Sequence, residues 1–272
     1  MKDMRDVLRD KYGKIARNKG TCCGPVPTCC RPTNQAESIS KRMGYSEKEL
    51  KSVPDDANLG LGCGNPTALA SLKEGEVVLD LGSGGGLDCF LAVEEVGEAG
   101  KVIGVDMTPE MISLARKNAE EGNHTNVEFR LGEIENLPVA DNTIDIMISN
   151  CVINLSPDKR RVFQEAHRVL KPGGRLMISD IVLLKSLPDS VRESIDAYVG
   201  CVAGALIKDD YLAAITSAGF ENVNVIDESP FSIMAIPTDP FVKSLIDDFN
   251  LTAEQVKDIS ESIVSIKVEG KK

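Results

Sequence analysis

The side chains with the most distinctive chemistry in this sequence are thiols. The chain of 272 residues contains eight cysteines, and four of them form two adjacent pairs, Cys22-Cys23 and Cys29-Cys30, in a loop rich in glycine and proline. Zinc sites usually pair cysteines two residues apart so that both sulfurs reach one ion, and adjacent cysteines match that spacing poorly. The pairs therefore favour soft-metal capture or thiol exchange, with passive loop thiols as the alternative.

Three further cysteines stand where a ligand can reach them. Cys63 lies among three glycines, Cys201 lies between two glycines, and Cys151 follows the strand predicted over 144–149. The carboxyl edge of a sheet is where open α/β folds bind substrates. We expect these three thiols to be accessible, with burial in the core as the alternative. Cys89 is expected to fill the core instead, because it lies inside a predicted helix.

A glycine-rich loop between a predicted strand and a predicted helix is the clearest binding motif. Residues 77–79 form a short apolar run that is typical of a buried strand. The segment Asp80-Leu-Gly-Ser-Gly-Gly-Gly86 follows it. Glycine lets the backbone turn sharply and lets a ligand lie against it. The helix predicted over 87–96 then presents its N-terminal N–H groups to that ligand.

This loop resembles the S-adenosylmethionine (SAM) loop of class I methyltransferases. A dinucleotide fingerprint would need glycine at position 87, which is leucine. A second strand, over 101–106, ends in Asp106, an acid placed to hold ribose hydroxyls. An ordinary strand–helix turn is the alternative, and alternating glycines followed by a second strand-end acid disfavour it. The expected SAM-binding residues are Asp80, Gly82, Ser83, Gly84, Gly86, Asp106, Met107, Glu133, Ile134 and Asn150.

Strands and helices alternate along the rest of the chain and predict an α/β fold. Further strands are expected over 126–131, 144–149 and 175–184. The predicted architecture is a class I SAM-methyltransferase (Rossmann-like) sheet with helices on both faces, an N-terminal helical and Cys-rich extension and a C-terminal α+β appendage. We expect a flap over 1–66, a SAM-binding domain over 67–184, and a substrate-binding region with a helical tail over 185–272.

Local signals predict several elements outside the central unit. Helices are expected over 3–16, 36–43, 46–51 and 209–218, the third with a capping box from Ser46 to Glu49. Ser156 is expected to open another helix, residues 171–174 a turn, and 222–226 and 231–236 the last strands. The capping box at Thr252 predicts a helix that carries Ile259, Ile263 and Ile266 on one stripe. The final two lysines are expected to fray.

Bulk composition limits the possible partners. A formal net charge of −11 argues against nucleic acid or an anionic membrane as the main partner. The sequence shows neither an apolar run long enough to span a membrane nor the apolar core of a signal peptide. We therefore expect a cytoplasmic protein, whose cysteines stay reduced. A monomer is also expected.

Four segments together resemble the arsenite methyltransferases. They are Asn58-Leu-Gly-Leu-Gly-Cys63-Gly-Asn-Pro, the loop over 80–86, Ser149-Asn-Cys151-Val-Ile-Asn-Leu and Gly200-Cys201-Val-Ala-Gly204. The resemblance covers roughly residues 1 to 235. It implies that Cys63, Cys151 and Cys201 hold trivalent arsenic. It also implies that one cysteine among Cys22, Cys23, Cys29 and Cys30 pairs with Cys63 during turnover.

The implied reaction suits these residue types. Trivalent arsenic is soft and prefers thiolate donors, and three sulfurs leave its lone pair free to attack the SAM methyl group. No general base and no bound metal cofactor are expected. Methylation oxidises the arsenic, two protein thiols can reduce it by forming a disulfide, and a thiol reductant such as thioredoxin or glutathione resets the enzyme.

Two other functions remain open from the sequence. A methyltransferase acting on a quinone or another small organic acceptor would explain the SAM loop but not the three thiols. A soft-metal sensor that uses SAM as a structural ligand would explain the cysteines. It would normally need a basic DNA-binding or partner-binding element, and the acidic charge counts against one.

Overall fold

The candidate residues that the structure describes lie near the carboxyl ends of the strands of a central sheet. The computed structural model describes residues 4–18, 32–188, 191, 201–230 and 253–272. The N-terminal cysteine pairs and the predicted strand over 231–236 lie outside this range. Within it, the strands are β1 Val77–Leu81, β2 Lys101–Asp106, β3 Val127–Leu131, β4 Ile144–Asn150, β5 Leu170–Leu183, β6 Glu221–Pro230 and β7 Ile263–Lys271.

These strands form one mixed sheet in the order β3-β2-β1-β4-β5-β7-β6. The first five run parallel, whereas β7 pairs antiparallel with both β5 and β6. The chain passes from β1 outward to β2 and β3 and then returns to β4 on the other side of β1. Ligands of open α/β sheets bind at such a reversal of strand order, and here the glycine loop and Cys151 lie beside it.

Helices cover both faces of this sheet, as the sequence predicts. The described helices are α1 Met4–Asn18, α2 Pro32–Arg42, α3 Glu47–Ser52, α4 Pro66–Leu69, α5 Leu87–Val96, α6 Pro109–Glu121, α7 Lys159–Val169, α8 Lys208–Ser217 and α9 Ala253–Glu261. Leu79 and Leu81 pack in one core cluster with α7 and α8, while Val78 packs in another with α5 and α6. Strand side chains alternate between faces, so β1 is buried on both.

Most predicted elements are observed, with some ends shifted. The capping box before α3 is confirmed, since Ser46 Oγ accepts the Glu49 N–H at 3.2 Å and Glu49 Oε2 accepts the Ser46 N–H at 2.6 Å. Helix α7 begins at Lys159 rather than at Ser156, because Asp158 caps it by accepting the Arg161 N–H at 3.0 Å. The predicted turn over 171–174 bulges out within β5, between residues that pair with Ile144 and Ile146.

The prediction for the C-terminal residues is wrong in its second half. Helix α9 ends at Glu261, and Ile263 and Ile266 belong to strand β7. This segment is rich in β-branched residues and fills the gap between β5 and β6, so long-range pairing outweighs the helical spacing of its isoleucines. The chain end is also fixed rather than frayed, because the Lys272 N–H donates to the Gly174 carbonyl at 2.8 Å.

No described helix is long and apolar enough to cross a membrane.

The glycine loop after β1 requires glycine for two different reasons. Gly82 and Gly84 both have left-handed backbone conformations, with φ of +69° and +52°. A Cβ atom on Gly82 would lie 2.5 Å from Cγ2 of Val152, whereas one on Gly84 would meet nothing within 4 Å. Both positions therefore need an unusual φ, but only Gly82 also needs the space.

We expect Gly82→Ala to destabilise the protein more than Gly84→Ala. Each change places alanine in a left-handed conformation, at a cost of about 1–2 kcal/mol. Only the change at Gly82 also overpacks the loop against Val152, which adds roughly 1–3 kcal/mol. Urea unfolding of both variants measures the difference in the free energy of unfolding. Equal losses would show that Val152 does not restrict the loop.

Candidate active site

A cavity of about 360 Å³ lies at the carboxyl ends of β1, β2 and β4. Eight of the ten residues predicted to bind SAM line it: Asp80, Gly82, Ser83, Gly84, Asp106, Met107, Ile134 and Asn150. The other two lie outside its lining. Gly86 caps the start of α5, and Glu133 forms ion pairs with Arg5 and Arg9 of α1, while its neighbour Glu135 lines the cavity.

Asp106 joins the end of β2 to the glycine loop. Its carboxylate accepts the N–H groups of Gly84 at 3.0 Å and of Thr108 at 2.8 Å. Thr108, at the start of α6, forms no capping bond with its own side chain, so Asp106 holds this helix start instead. Burial raises the pKa of Asp106, and the two backbone hydrogen bonds offset part of that rise.

Buried carboxyl groups give the cavity its electrostatic character. Asp80, Asp88 and Asp106 all line it, and burial is the largest cause that raises the pKa of each. Asp80 accepts a hydrogen bond from the buried thiol of Cys89 at 3.2 Å. A cationic ligand would favour the ionised forms and lower these pKa values.

The lining residues fit SAM, which is a sulfonium cation. Ser83 Oγ is buried without a hydrogen-bond partner in the described part of the chain, so it can bond to a ligand. The open space beside Gly84 lets a ligand approach the backbone. Acids at the ends of β1 and β2 complete a site for a positively charged nucleoside. When bound, SAM would supply an electrophilic methyl group, and these residues would hold and orient it.

The structure brings Cys63, Cys151 and Cys201 together from three separate segments. All three belong to one apolar cluster. The Cys201 thiol donates to the Cys151 carbonyl at 2.9 Å, and the Cys63 thiol donates to the Ser179 carbonyl at 3.4 Å. Cys151 and Cys201 line the cavity, whereas Cys63 lies just behind its wall.

The predicted accessibility of these thiols is not observed. Cys63 and Cys151 are each 8% exposed, and Cys201 is 6% exposed. The glycines beside Cys63 let the segment press against the sheet rather than open it to solvent. A Cβ atom on Gly64 would lie 2.0 Å from Ser179 Oγ. Glycine at this position is therefore what allows Cys63 to be buried.

Backbone strain accompanies the other two thiols. Cys151 and Cys201 have left-handed conformations, with φ of +60° and +64°. Such a conformation costs a residue with a side chain about 1–2 kcal/mol. Strained residues of this kind concentrate at functional sites, where the surrounding fold holds them.

The thiols of Cys63 and Cys151 carry their protons at neutral pH. Burial is the largest cause that raises the pKa of Cys63. The pKa of Cys151 lies well above its usual value, first because of hydrogen bonds with Cys201 and Cys63 and then because of burial. The predicted thiolate form at these two positions therefore requires a ligand that replaces the protons.

Sequence analysis missed a buried acid beside the thiols. A carboxylate oxygen of Asp180 and the sulfurs of Cys63 and Cys151 all lie within 4.8 Å of one another. Asp180 accepts hydrogen bonds from Asn154 at 2.8 Å and from the Tyr211 hydroxyl at 2.9 Å. Burial raises its pKa to about 7. The sequence does contain a signal for this acid, because Asp180 stands inside an apolar predicted strand. Charged groups are rarely buried without a partner, so such an acid indicates a buried interaction.

Comparisons with known proteins indicate a methyltransferase. Residues 72–219 match the model of a methyltransferase domain family. The chain is 47% identical to an arsenite methyltransferase of Halobacterium salinarum, over 99% of this chain and 67% of that protein. It is 35% identical to an arsenite methyltransferase of Aquipseudomonas alcaligenes, over 85% of this chain and 66% of that protein. It thus spans about two thirds of the length of these curated relatives.

A solved structure gives the same indication. The chain superimposes with a TM-score of 0.64 on an arsenic (III) S-adenosylmethionine methyltransferase from Chlamydomonas reinhardtii. The two are 34% identical, and the match covers 85% of this chain and 72% of the other.

We expect Asp180→Asn to stabilise the protein increasingly as the pH rises. The carboxyl pKa is 3.8 in the reference state and about 7 in the fold. The wild-type contribution of this group is therefore fully present below the lower value and is lost as the pH rises toward the higher one. Asparagine does not ionise, so the variant avoids this loss, which is at most about 4 kcal/mol in the free energy of unfolding. Its amide oxygen keeps an acceptor for Asn154.

Unfolding of wild type and variant in urea from about pH 5 to about pH 8 measures this difference. Asp209→Asn, which changes an exposed acid in the first turn of α8, is the control. Parallel pH profiles for wild type and Asp180→Asn would contradict the expectation.

Proposed function

The chain belongs to the arsenite methyltransferases, a SAM-dependent family, and from that premise we propose that it methylates trivalent arsenic held by Cys63, Cys151 and Cys201. The observation that carries the proposal is the convergence of three buried thiols at a cavity whose residues fit SAM. The proposed substrates are arsenite and methylarsenite, and the proposed role is arsenic detoxification by a cytoplasmic monomer. An organic acceptor would not require the three thiols.

Binding of arsenite to the three thiols needs no general base. Arsenite, As(OH)₃, exchanges three As–O bonds for three As–S bonds, and each thiol proton leaves with one hydroxide as water. The raised pKa values of Cys63 and Cys151 fit this exchange, because the resting thiols supply those protons. The bound product is a neutral arsenic trithiolate, so the buried site gains no net charge.

The protein promotes methyl transfer mainly by positioning the two reactants. The arsenic lone pair attacks the methyl carbon, the carbon–sulfonium bond breaks, and S-adenosylhomocysteine leaves. Correct placement of two reactants can lower a barrier by roughly 7–11 kcal/mol. Leu8 of α1, Leu155 and Ile181 pack in the same apolar cluster as the thiols and keep water away from the arsenic.

Turnover is proposed to depend on thiol reduction. Methylation produces positively charged pentavalent arsenic. The thiol of an N-terminal cysteine then attacks the arsenic-bound sulfur of Cys63 and loses its proton. A disulfide forms, the Cys63–arsenic bond breaks, and the electron pair of that bond reduces arsenic to the trivalent state. Cys63 and one of the N-terminal cysteines are the proposed pair. A reductant such as thioredoxin or glutathione then opens the disulfide by thiol exchange.

Replacement of one arsenic ligand is expected to abolish most methyl transfer. Cys63→Ser, Cys151→Ser and Cys201→Ser each remove one of three soft donors, so the single-turnover rate should fall by roughly 100-fold or more. Labelled SAM and arsenite measure the transfer. Cys89→Ser is the matched control, because this buried cysteine lies outside the thiol cluster and serine can still donate to Asp80.

Equal transfer by wild type and the three ligand variants would discard the site while keeping the reaction. SAM binding without any transfer to arsenite by wild type would instead favour an organic acceptor.

Omission of thiol reductant is expected to limit the enzyme to about one methyl transfer per protein molecule. The disulfide formed in that cycle would leave Cys63 unavailable for the next arsenite. Product counts over time, with and without thioredoxin or glutathione, measure the limit. Sustained turnover without any reductant would refute the thiol relay.

A further inference from the structure

Asn150 contacts both the cavity whose residues fit SAM and the segment that carries Cys63. It is the last residue of β4 and precedes Cys151, and its side chain lines the SAM cavity. Its carboxamide also holds the backbone on both sides of a second cysteine. Oδ1 accepts the Cys63 N–H at 3.0 Å, and Nδ2 donates to the Gly64 carbonyl at 2.8 Å. One side chain therefore sets where Cys63 stands relative to Cys151.

The backbone around Cys63 packs tightly against the side-chain amide of Asn150. Gly62 has a φ of +121°, and a Cβ atom there would lie 2.9 Å from both terminal atoms of the Asn150 amide. A Cβ atom on Gly64 would lie 2.0 Å from Ser179 Oγ. The segment is thus held between Asn150 and the sheet, and a shift of the Asn150 amide must shift Cys63.

The same amide is hydrogen-bonded to an acid of the SAM cavity. Nδ2 lies 3.2 Å from Asp88 Oδ2 and 2.9 Å from the Tyr45 hydroxyl, which itself donates to Asp88 Oδ1 at 2.7 Å. Two N–H groups therefore serve three acceptors: Asp88, Tyr45 and Gly64. SAM and S-adenosylhomocysteine share a positively charged ammonium group. If this group draws on the Asp88 carboxylate, more of the Asn150 donor capacity is left to Gly64.

We propose that Asn150 couples occupancy of the SAM cavity to the position of Cys63, and thereby to the affinity of the three-thiol site for trivalent arsenic. The affinity part rests on the proposed function, whereas the effect on Cys63 does not. Asn150 acts here as a positioning residue. The sequence places it among the SAM-binding residues alone, whereas its contacts extend to the thiol site.

Alkylation of Cys63 tests the coupling without arsenic. S-adenosylhomocysteine, which cannot transfer a methyl group, is expected to slow iodoacetamide modification of wild-type Cys63 by about five-fold or more, as measured by mass spectrometry. Asn150→Ala should lose this protection. Direct shielding would survive that change, and Cys63 does not line the cavity.

The matched control is Asn126→Ala. Asn126 also uses its amide to hold backbone, donating to the carbonyls of Gly97 at 2.9 Å and Gly100 at 3.4 Å, but it lies away from the cavity. Protection of Cys63 should persist in this variant. A cooperative urea unfolding transition shows that Asn150→Ala is folded, and each alkylation rate is measured at an S-adenosylhomocysteine concentration that saturates the variant concerned. Equal alkylation rates in wild type with and without S-adenosylhomocysteine would overturn the proposal.

Calorimetry then tests the consequence for arsenic. S-adenosylhomocysteine should tighten arsenite binding to wild type by about five-fold or more, and arsenite should tighten S-adenosylhomocysteine binding by the same factor, because coupling is reciprocal. In Asn150→Ala both factors should fall to about one. Equal arsenite affinity with and without S-adenosylhomocysteine would overturn the coupling alone. An absence of arsenite binding to wild type, with Cys63 still protected, would overturn the proposed function and leave the coupling through Asn150 standing.

Discussion

The carbonyl group of Ser179 in β5 is the contact on which the thiol site depends. It accepts the Cys151 N–H at 2.8 Å and the Cys63 thiol at 3.4 Å. The first bond holds the left-handed turn that ends β4, and the second holds a segment that precedes it by almost ninety residues. Cys201 joins through the Cys151 carbonyl. One acceptor in the sheet thus organises three thiols that the chain brings from separate places.

The site contains acids in a buried environment and cysteines with strained backbones, both of which destabilise a folded protein. Burial raises the pKa values of Asp80, Asp88, Asp106 and Asp180, and two cysteines adopt left-handed conformations. Each feature works against stability unless another interaction offsets it. A cation in the cavity is such an interaction, because it favours the ionised carboxylates. Strands β1 and β4 and the second half of β5, which are almost entirely buried, supply the stability that tolerates these features.

Features that depend on neighbouring residues could be predicted from the sequence, whereas features that depend on distant contacts could not. The glycine loop and strands β1 to β5 could be predicted, because their signals lie within a few neighbouring residues. Burial of Cys63 could not, since it depends on Ser179, 116 positions away. Strand β7 was missed because its conformation depends on β5 and β6. Asp88 and Tyr45 gave no local signal, as their connection to Asn150 forms only in the fold.

The proposed reaction gives the acids around the site a role, although it needs no base. Exchange of thiol protons for arsenic would leave a neutral trithiolate, so the only positive centre before methyl transfer would be the sulfonium. Methyl transfer would move that charge to arsenic, among the thiols. The acids of the SAM cavity, Asp80 and Asp106, suit the first position. Asp180, within 4.8 Å of the sulfurs of Cys63 and Cys151, suits the second. In the proposed reaction, fixed carboxylates near both positions would stabilise the transferring charge without reorganisation, which is the arrangement that favours a transition state of this kind.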